Sequence, residues 1–349
     1  MRVIVVGATG NLGTSVLRAL ADEPRVESVL GLARREPGLS LPKVEWASAD
    51  VVEDDLAARF RGADAVVLLS WLIQPSRDLE KLWSVSVEGS LRAARAAAAA
   101  GVPALIYASS VGAYSPGPKT SRVDERWPTG GIHSSYYSRQ KAEVERRLNL
   151  VEAENPGMRL VRLRPGLVFK REASQGIRRL FGGPLLPGSL VRLALSGLVP
   201  ELRGLRSQVV HSYDVGEAAR LALFSEARGA FNLATEPPLD ARRVAEHFGG
   251  RTVRVPGGLA RAAVDLSWRL RLHPVAPGWL DLARRVPLMD TTRARQELGW
   301  SPGYGAAETL EDVISGLESG AGLQTPVLSP HSGRLRSREF ETGIGGSEP

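Results

Sequence analysis

The chain has 349 residues, 43% hydrophobic and 24% charged, with a formal net charge of +7; that balance describes a globular protein with one large core or two unequal ones and argues against disorder. The absence of cysteine excludes disulfides, thiolate catalysis and Cys-based zinc or iron–sulfur sites and fits a cytoplasmic protein, while His133, His211, His247, His273 and His331 stand singly without metal-ligand spacing, so no metal is expected. No run of 18 apolar residues occurs and the first strand-like run begins at Val3, so neither an export signal nor a membrane span is expected. Arginines dispersed among acids read as solvated surface rather than as a nucleic-acid face.

In chain order, β-branched apolar runs predict strands at Val3 to Val6, Val29 to Ala33, Val44 to Ala47, Ala65 to Leu69 and Ala104 to Ala108, each apolar on both sides as a buried parallel strand is. Between them Leu12 to Ala21, Asp55 to Phe60 and Glu88 to Ala100 have helical character, the last stopped by Gly101 and Pro103. A helix carries Tyr136 to Glu152, and further strands are predicted at Arg159 to Leu163, Gln208 to His211 and Ala230 to Leu233, about eight in all. The alternation is that of βαβ units: an α/β, Rossmann-type doubly wound parallel sheet with a smaller, mainly helical C-terminal substrate domain. The expected division is a dinucleotide-binding domain over 1–166, with returning segments at about 205–235. A substrate lobe follows over 167–204 and 236–320, and 321–349, Pro- and Gly-containing and aperiodic, is expected to be a disordered tail.

Directly after the first strand stands Gly7-Ala-Thr-Gly10-Asn11-Leu12-Gly13, opening the first helix. Glycines there permit a tight turn and close backbone approach to a pyrophosphate, and the helix N-terminus offers unpaired N–H groups to the anion. At the end of the second strand a carboxylate would accept the free ribose 2′-OH of NAD, but here the chain reads Ala33-Arg34-Arg35. The acid is missing and two guanidiniums suit a 2′-phosphate, so NADP(H) is favoured over NAD(H). Asp50 and Val51, after the third strand, are candidates at the adenine end, with a capping role for Asp50 as the alternative.

Tyr137 and Lys141 are four residues apart on a predicted helix and share a face. An ammonium beside a phenol stabilises tyrosinate, so the spacing predicts a lowered Tyr137 pKa and proton exchange with a substrate hydroxyl or carbonyl. Tyr136 has only Gln140 at that spacing. Ser109 and Ser110 stand at the carboxyl end of the fifth strand, where α/β sheets bind ligands, and either offers a hydroxyl to a developing oxyanion.

Gly7-x-x-Gly10-x-x-Gly13, Ser110 and Tyr137-x-x-x-Lys141 together resemble the extended short-chain dehydrogenases/reductases, the NAD-dependent epimerase/dehydratase family. Arg164-Pro-Gly, His211-Ser-Tyr-Asp-Val, Phe231-Asn-Leu-Ala-Thr and Glu297-Leu-Gly-Trp-Ser-Pro extend the likeness to about residue 315. The resemblance selects Ser110, four residues before Tyr114, over Ser109, and implies a catalytic Ser110, Tyr137 and Lys141, with Lys141 also on the nicotinamide ribose. The chain departs from the family at Ser86, where a relay asparagine is usual, and at Leu68-Leu-Ser-Trp71, where His-Leu-Ala is typical.

The expected activity is hydride transfer between a nicotinamide and a secondary alcohol or ketone. Two alternatives stand beside it: a nucleotide-sugar epimerase or dehydratase, the latter needing a further acid/base pair, and a redox sensor that binds NADP(H) without turnover. Arg164, Arg171, Arg178, Arg179 and Arg192 are candidates for a substrate pyrophosphate, or else solvated surface. The resemblance also implies a possible homodimer through the helices carrying Glu88 to Ala100 and Tyr137 to Val151; the expected partner is a small-molecule substrate.

Overall fold

The computed structural model describes residues 1–74, 76–182 and 188–330. Seven strands form one all-parallel sheet: β1 Arg2–Val6, β2 Ser28–Ala33, β3 Val44–Ser48, β4 Ala65–Leu68, β5 Ala104–Ala108, β6 Arg159–Pro165 and β7 Gly229–Leu233. Their order is β7-β6-β5-β4-β1-β2-β3, so the direction of winding reverses beside β1. The crevice at such a reversal, outside the carboxyl ends of the strands, is where doubly wound sheets bind ligands.

Alternate residues of each strand feed opposite layers. Val3, Val5, Val67, Ile106 and Phe231 pack beneath α1 Asn11–Ala21, while Ile4, Val6, Val66, Leu105 and Leu160 pack beneath α2 Gly89–Ala99 and α3 Tyr136–Glu154. The first layer is closed by α4 Ser212–Leu223. It lies so near α1 that a Cβ at Gly216 would stand 2.6 Å from Ser15 O, and Ser15 and Ser212 share a 2.8 Å hydroxyl contact. The smaller lobe holds short turns from Arg171 onward, a parallel pair Leu198–Glu201 with Arg251–Arg254, and helices that include Gly257–Arg269, α5 Gly278–Arg285 and α6 Ala306–Ser319.

Two expectations change. The predicted strand at Gln208 to His211 begins at Val209 and pairs with Leu167–Phe169 in a separate two-stranded sheet, so the main sheet has seven strands rather than eight. Its position over the ends of β6 and β7 makes it the rim of the crevice. The tail expected from residue 321 does not begin there: Thr325 and Leu328 are buried, and Thr325 Oγ1 donates to Thr9 O at 3.0 Å. Sparse periodicity hid this because the segment is anchored by single side chains and by Gly322, which fits where a Cβ would meet Leu328 O at 2.4 Å. The rest of that predicted tail, 331–349, lies outside the described residues.

Candidate active site

A cleft of about 680 Å³ runs along the carboxyl ends of β1, β2, β4 and β5 and under the smaller lobe, a size usual for small-molecule sites (about 300–1,000 Å³). Gly7, Gly10, Asn11, Leu12 and Gly13 all line it. Gly7 has φ +83°, and a Cβ there would meet Ser70 N at 2.7 Å; a Cβ at Gly13 would meet Gly7 O at 2.4 Å. These two glycines let the turn fold against β4 and α1. Gly10 is different, since a Cβ there would find only Gly7 O at 3.5 Å, leaving the backbone open to the cleft. Asn11 Oδ1 and Trp71 Nε1, both on lining residues, are buried without a hydrogen-bond partner. An open helix N-terminus with unspent polar atoms fits a nicotinamide dinucleotide, its pyrophosphate on the Asn11–Gly13 amides.

Arg34 and Arg35 are exposed at the end of β2 and line the same cleft. The nearest acid in sequence, Glu36, accepts from Ser48 N at 3.2 Å. Asp50 and Val51 lie outside the lining: Asp50 Oδ1 accepts from Val52 N at 2.8 Å, closing its own turn, and Val51 fills the space beside Gly89. Nor does Asp50 cap the helix that follows, Leu56–Phe60, whose N-cap is Asp55 accepting from Ala58 N at 3.2 Å.

The catalytic candidates converge. Ser110 Oγ accepts from Gly112 N at 3.0 Å and stands beside the Tyr137 ring, since a Cβ on Gly112 would meet Ser110 Oγ at 3.3 Å and that ring at 2.8 Å. The contact is held by Ser138, whose hydroxyl donates to Gly112 O and accepts from Ile132 N, so the first turn of α3 is tied to the loop bearing Ser110. Gly112 keeps this approach open, as a Cβ would meet the Tyr137 ring at 2.8 Å.

Lys141 departs from the expectation. Its ammonium donates to Ala108 O at 2.8 Å and to Tyr107 OH at 3.4 Å, and lies 3.5 Å from the centre of the Trp71 ring. Burial pushes the lysine well below its ordinary value, and burial pushes Tyr137 up to about 12, with neighbouring Ser110 pulling the other way. The predicted lowering of Tyr137 is therefore absent in this geometry: helical spacing puts the two side chains on one face, but the amine is turned to Ala108 O and the phenol is buried beside Trp71 and Trp279. Trp279 of α5 lies 4.7 Å from the Tyr137 ring centre at a 31° tilt, and Trp71 meets the same ring edge-on at 5.8 Å.

Behind this surface Glu145, one turn beyond Lys141, accepts from Ser109 Oγ and is paired bidentately with Arg164. Arg164 also donates to Tyr114 OH, which donates to Asn232 Oδ1 at 2.6 Å. Ser109 is thus a support and Ser110 the hydroxyl that faces the cleft. Ser86 sits on a π-helical turn, Ser84–Glu88, and exchanges both hydrogen bonds with the backbone of Leu72. It latches the loop after β4 and hydrogen-bonds neither Lys141 nor Tyr137.

Sequence reasoning missed Trp279, Phe181, Ser138 and Glu145 as parts of the site. Glu145 was within reach of it, being at the i+4 spacing from Lys141; Trp279 was not, because nothing local tells which wall an amphipathic tryptophan covers. The five arginine candidates are all engaged. Beside Arg164, Arg171 donates to Ser315 and Ser319 and Arg178 to Gln175. Arg179 binds Val327 O and Ser329 O, and Arg192 pairs with Glu311 and Glu318. Of these five, Arg179 is the one that lines the cleft.

Among the described residues no cluster of three His, Asp or Glu is placed to hold a metal, and no helix is long and apolar enough to cross a membrane. The family described as "NAD dependent epimerase/dehydratase family" matches residues 3–234. A protein of unassigned function from Mycobacterium tuberculosis is 24% identical over 326 residues, 93% of this chain and 31% of that protein, so the chain spans about a third of the length of that relative. A UDP-glucose 4-epimerase from Mycolicibacterium smegmatis is 25% identical over 333 residues, 90% of this chain and 97% of the relative. Among solved structures, a UDP-glucose 4-epimerase from Thermotoga maritima with UDP-glucose superposes with a TM-score of 0.70 at 18% identity, covering 91% of this chain and 99% of that one. A short-chain dehydrogenase/reductase superfamily protein from Agrobacterium tumefaciens with bound NAD does so at 0.69 and 21% identity, covering 91% and 98%. At these identities the structural likeness is one of fold.

Proposed function

The chain belongs to the NAD dependent epimerase/dehydratase family, and from that premise we propose that it transfers a hydride reversibly between a nicotinamide cofactor and a secondary alcohol or ketone. The observation that carries this reading is the juxtaposition of Tyr137 and Ser110 on the cleft wall, on either side of Gly112. In the reducing direction the carbonyl carbon gains a hydride and its oxygen gains the Tyr137 proton, giving the alcohol; the phenol is then reprotonated from solvent. Bound in the cleft, the reduced cofactor supplies that hydride. A phenol held near 12 remains protonated at neutral pH and is ready to donate, and Ser110 offers its hydroxyl to the same oxygen. Lys141, turned to Ala108 O, is within a rotamer change of the cleft it lines and is assigned to the nicotinamide ribose.

Two features support reduction over dehydration and NADP(H) over NAD(H). Among the described residues lining the cleft there is no carboxylate and no imidazole, so a second acid/base pair for elimination is lacking. Arg34 and Arg35 flank a strand end that carries Ala33 in place of an acid, which favours a 2′-phosphate.

The test is a fluorescence titration with NADPH and NADH followed by a ketone panel. Tighter NADPH binding, with turnover that falls by about 10²–10⁴-fold in Tyr137→Phe, is the expected result. NADPH that binds and is consumed with no ketone would instead mark a sensor, and no binding of either cofactor would remove the enzyme reading.

A further inference from the structure

Past Tyr137 the cleft changes character. Its walls there come from Trp71 and Ile73 after β4, Ile177 and Phe181 from the smaller lobe, and Trp279 and Leu282 of α5. Phe181 meets Trp279 edge-on at 5.0 Å, so the aromatic wall is braced from behind. Most of the polar groups among these segments are already used, though Trp71 Nε1 stays buried without a hydrogen-bond partner. Trp279 Nε1 donates to Tyr136 OH at 3.2 Å, and that hydroxyl donates onward to Ile73 O, so neither polar tip is left for a ligand. Gln74 gives its amide to Leu180 O and its carbonyl to Ser76 N. Gln208 bonds Met289 through both its oxygen and its nitrogen. Arg179 is bound to the carbonyls of Val327 and Ser329, and holds down the segment that closes this end.

We propose, resting on the hydride-transfer reading above, that this chamber takes a bulky apolar ketone or secondary alcohol, a fused or aromatic ring packed among Trp71, Ile177 and Phe181, rather than a nucleotide sugar. A diphosphate brings two charges and a hexose several hydroxyls, and each must find a partner when it leaves water. Among the described residues beyond Tyr137 the one cation is Arg179, already engaged by carbonyls, and the two glutamines are spent. An apolar ring needs no such partners and gains from every methylene that the chamber covers. The reacting group alone requires polar contact, and Ser110 with Tyr137 provides it at the chamber's inner end.

The experiment separates binding from chemistry. The Tyr137→Phe protein, loaded with NADPH, is titrated calorimetrically with cyclohexanone, 1-decalone and UDP-glucose, and wild-type turnover of the same three is measured in parallel. Affinity is expected to rise from cyclohexanone to 1-decalone by at least about 30-fold, within the roughly fourfold per buried methylene that apolar transfer allows, with no heat from UDP-glucose at millimolar concentration. Ile177→Arg, which sets a charge in the wall, is expected to remove at least tenfold of the decalone gain while NADPH affinity is kept. Micromolar binding of UDP-glucose, or a flat ketone series, overturns the proposal. Decalone bound tightly but not reduced by the wild type leaves the substrate class standing and removes the hydride-transfer reading.

Discussion

The two walls of the cleft are made in different ways. The sheet wall comes from the N-terminal part of the chain and is built on a run of backbone, the amides of Asn11 to Gly13, with strand ends that carry Ser110 and, through α3, Tyr137 and Lys141. The opposite wall is gathered from separate later stretches around Phe181, Trp279 and Val327 and presents side chains. A wall of backbone fixes a ligand that many proteins share. One of side chains can be exchanged without disturbing the fold, and for this reason substrate choice is expected to reside there.

Perturbing the sheet wall should alter stability and cofactor binding together. Glu145→Ala leaves the Arg164 guanidinium buried beside Tyr114 without its carboxylate, and a broken buried pair costs about 3–5 kcal/mol. Denaturant unfolding should show that loss, and a change under about 1 kcal/mol would mean that the network is not what fixes α3 to β5 and β6.

Lys170 gives a pH-dependent version of the same test. Its ammonium is fully buried against Asn11 O, Thr14 Oγ1 and Ser15 Oγ under the phosphate loop, and burial holds it at about 7. A lysine free in the unfolded chain titrates near 10.4. Between these values the unfolded state carries the extra proton, so stability rises with pH from about 7 towards 10 and is lost as pH falls back through that window, with a span approaching about 4 kcal/mol. Lys170→Met should flatten melting temperature against pH there; an unchanged slope would show that Lys170 is not the titrating group.

Arg34→Ala should leave folding alone and weaken NADPH about 10–100-fold with NADH unaffected, the worth of one or two charge-assisted hydrogen bonds. Equal losses for both cofactors would place Arg34 off the 2′-phosphate. The smallest effect is expected where the opposite wall touches the phosphate loop. Thr325→Val removes the bond to Thr9 O, about 1 kcal/mol, and should hasten NADPH release in stopped flow while leaving its NADPH/NADH preference intact.

Much of the sheet wall was legible before any coordinates. The runs at Val3, Val29, Val44, Ala65, Ala104, Arg159 and Ala230 became the seven strands to within two residues at either end, since a strand buried on both faces has a composition that needs no partner to be recognised. Ser110, Tyr137 and Lys141 were likewise visible, because strand-end and i, i+4 positions are local geometry. Their electrostatics were not. Spacing predicts a lowered phenol, while the tryptophans that desolvate it stand 66 positions before and 142 positions after Tyr137 in the chain.

The sequence by itself therefore determined the parallel sheet, the glycine turn after β1 and the placing of the candidate side chains Ser110, Tyr137 and Lys141 at strand end and helix face, all consequences of propensity and short-range spacing. Tertiary structure alone decided that Ser86 latches the Leu72 backbone and that the five candidate arginines are bound elsewhere. It also decided that residues 321–330 close over Thr9 and that Tyr137 sits raised between two indoles. The physical reason is common to these cases: each depends on which distant surface a side chain meets when water is excluded, and such pairing leaves no periodic trace along the chain.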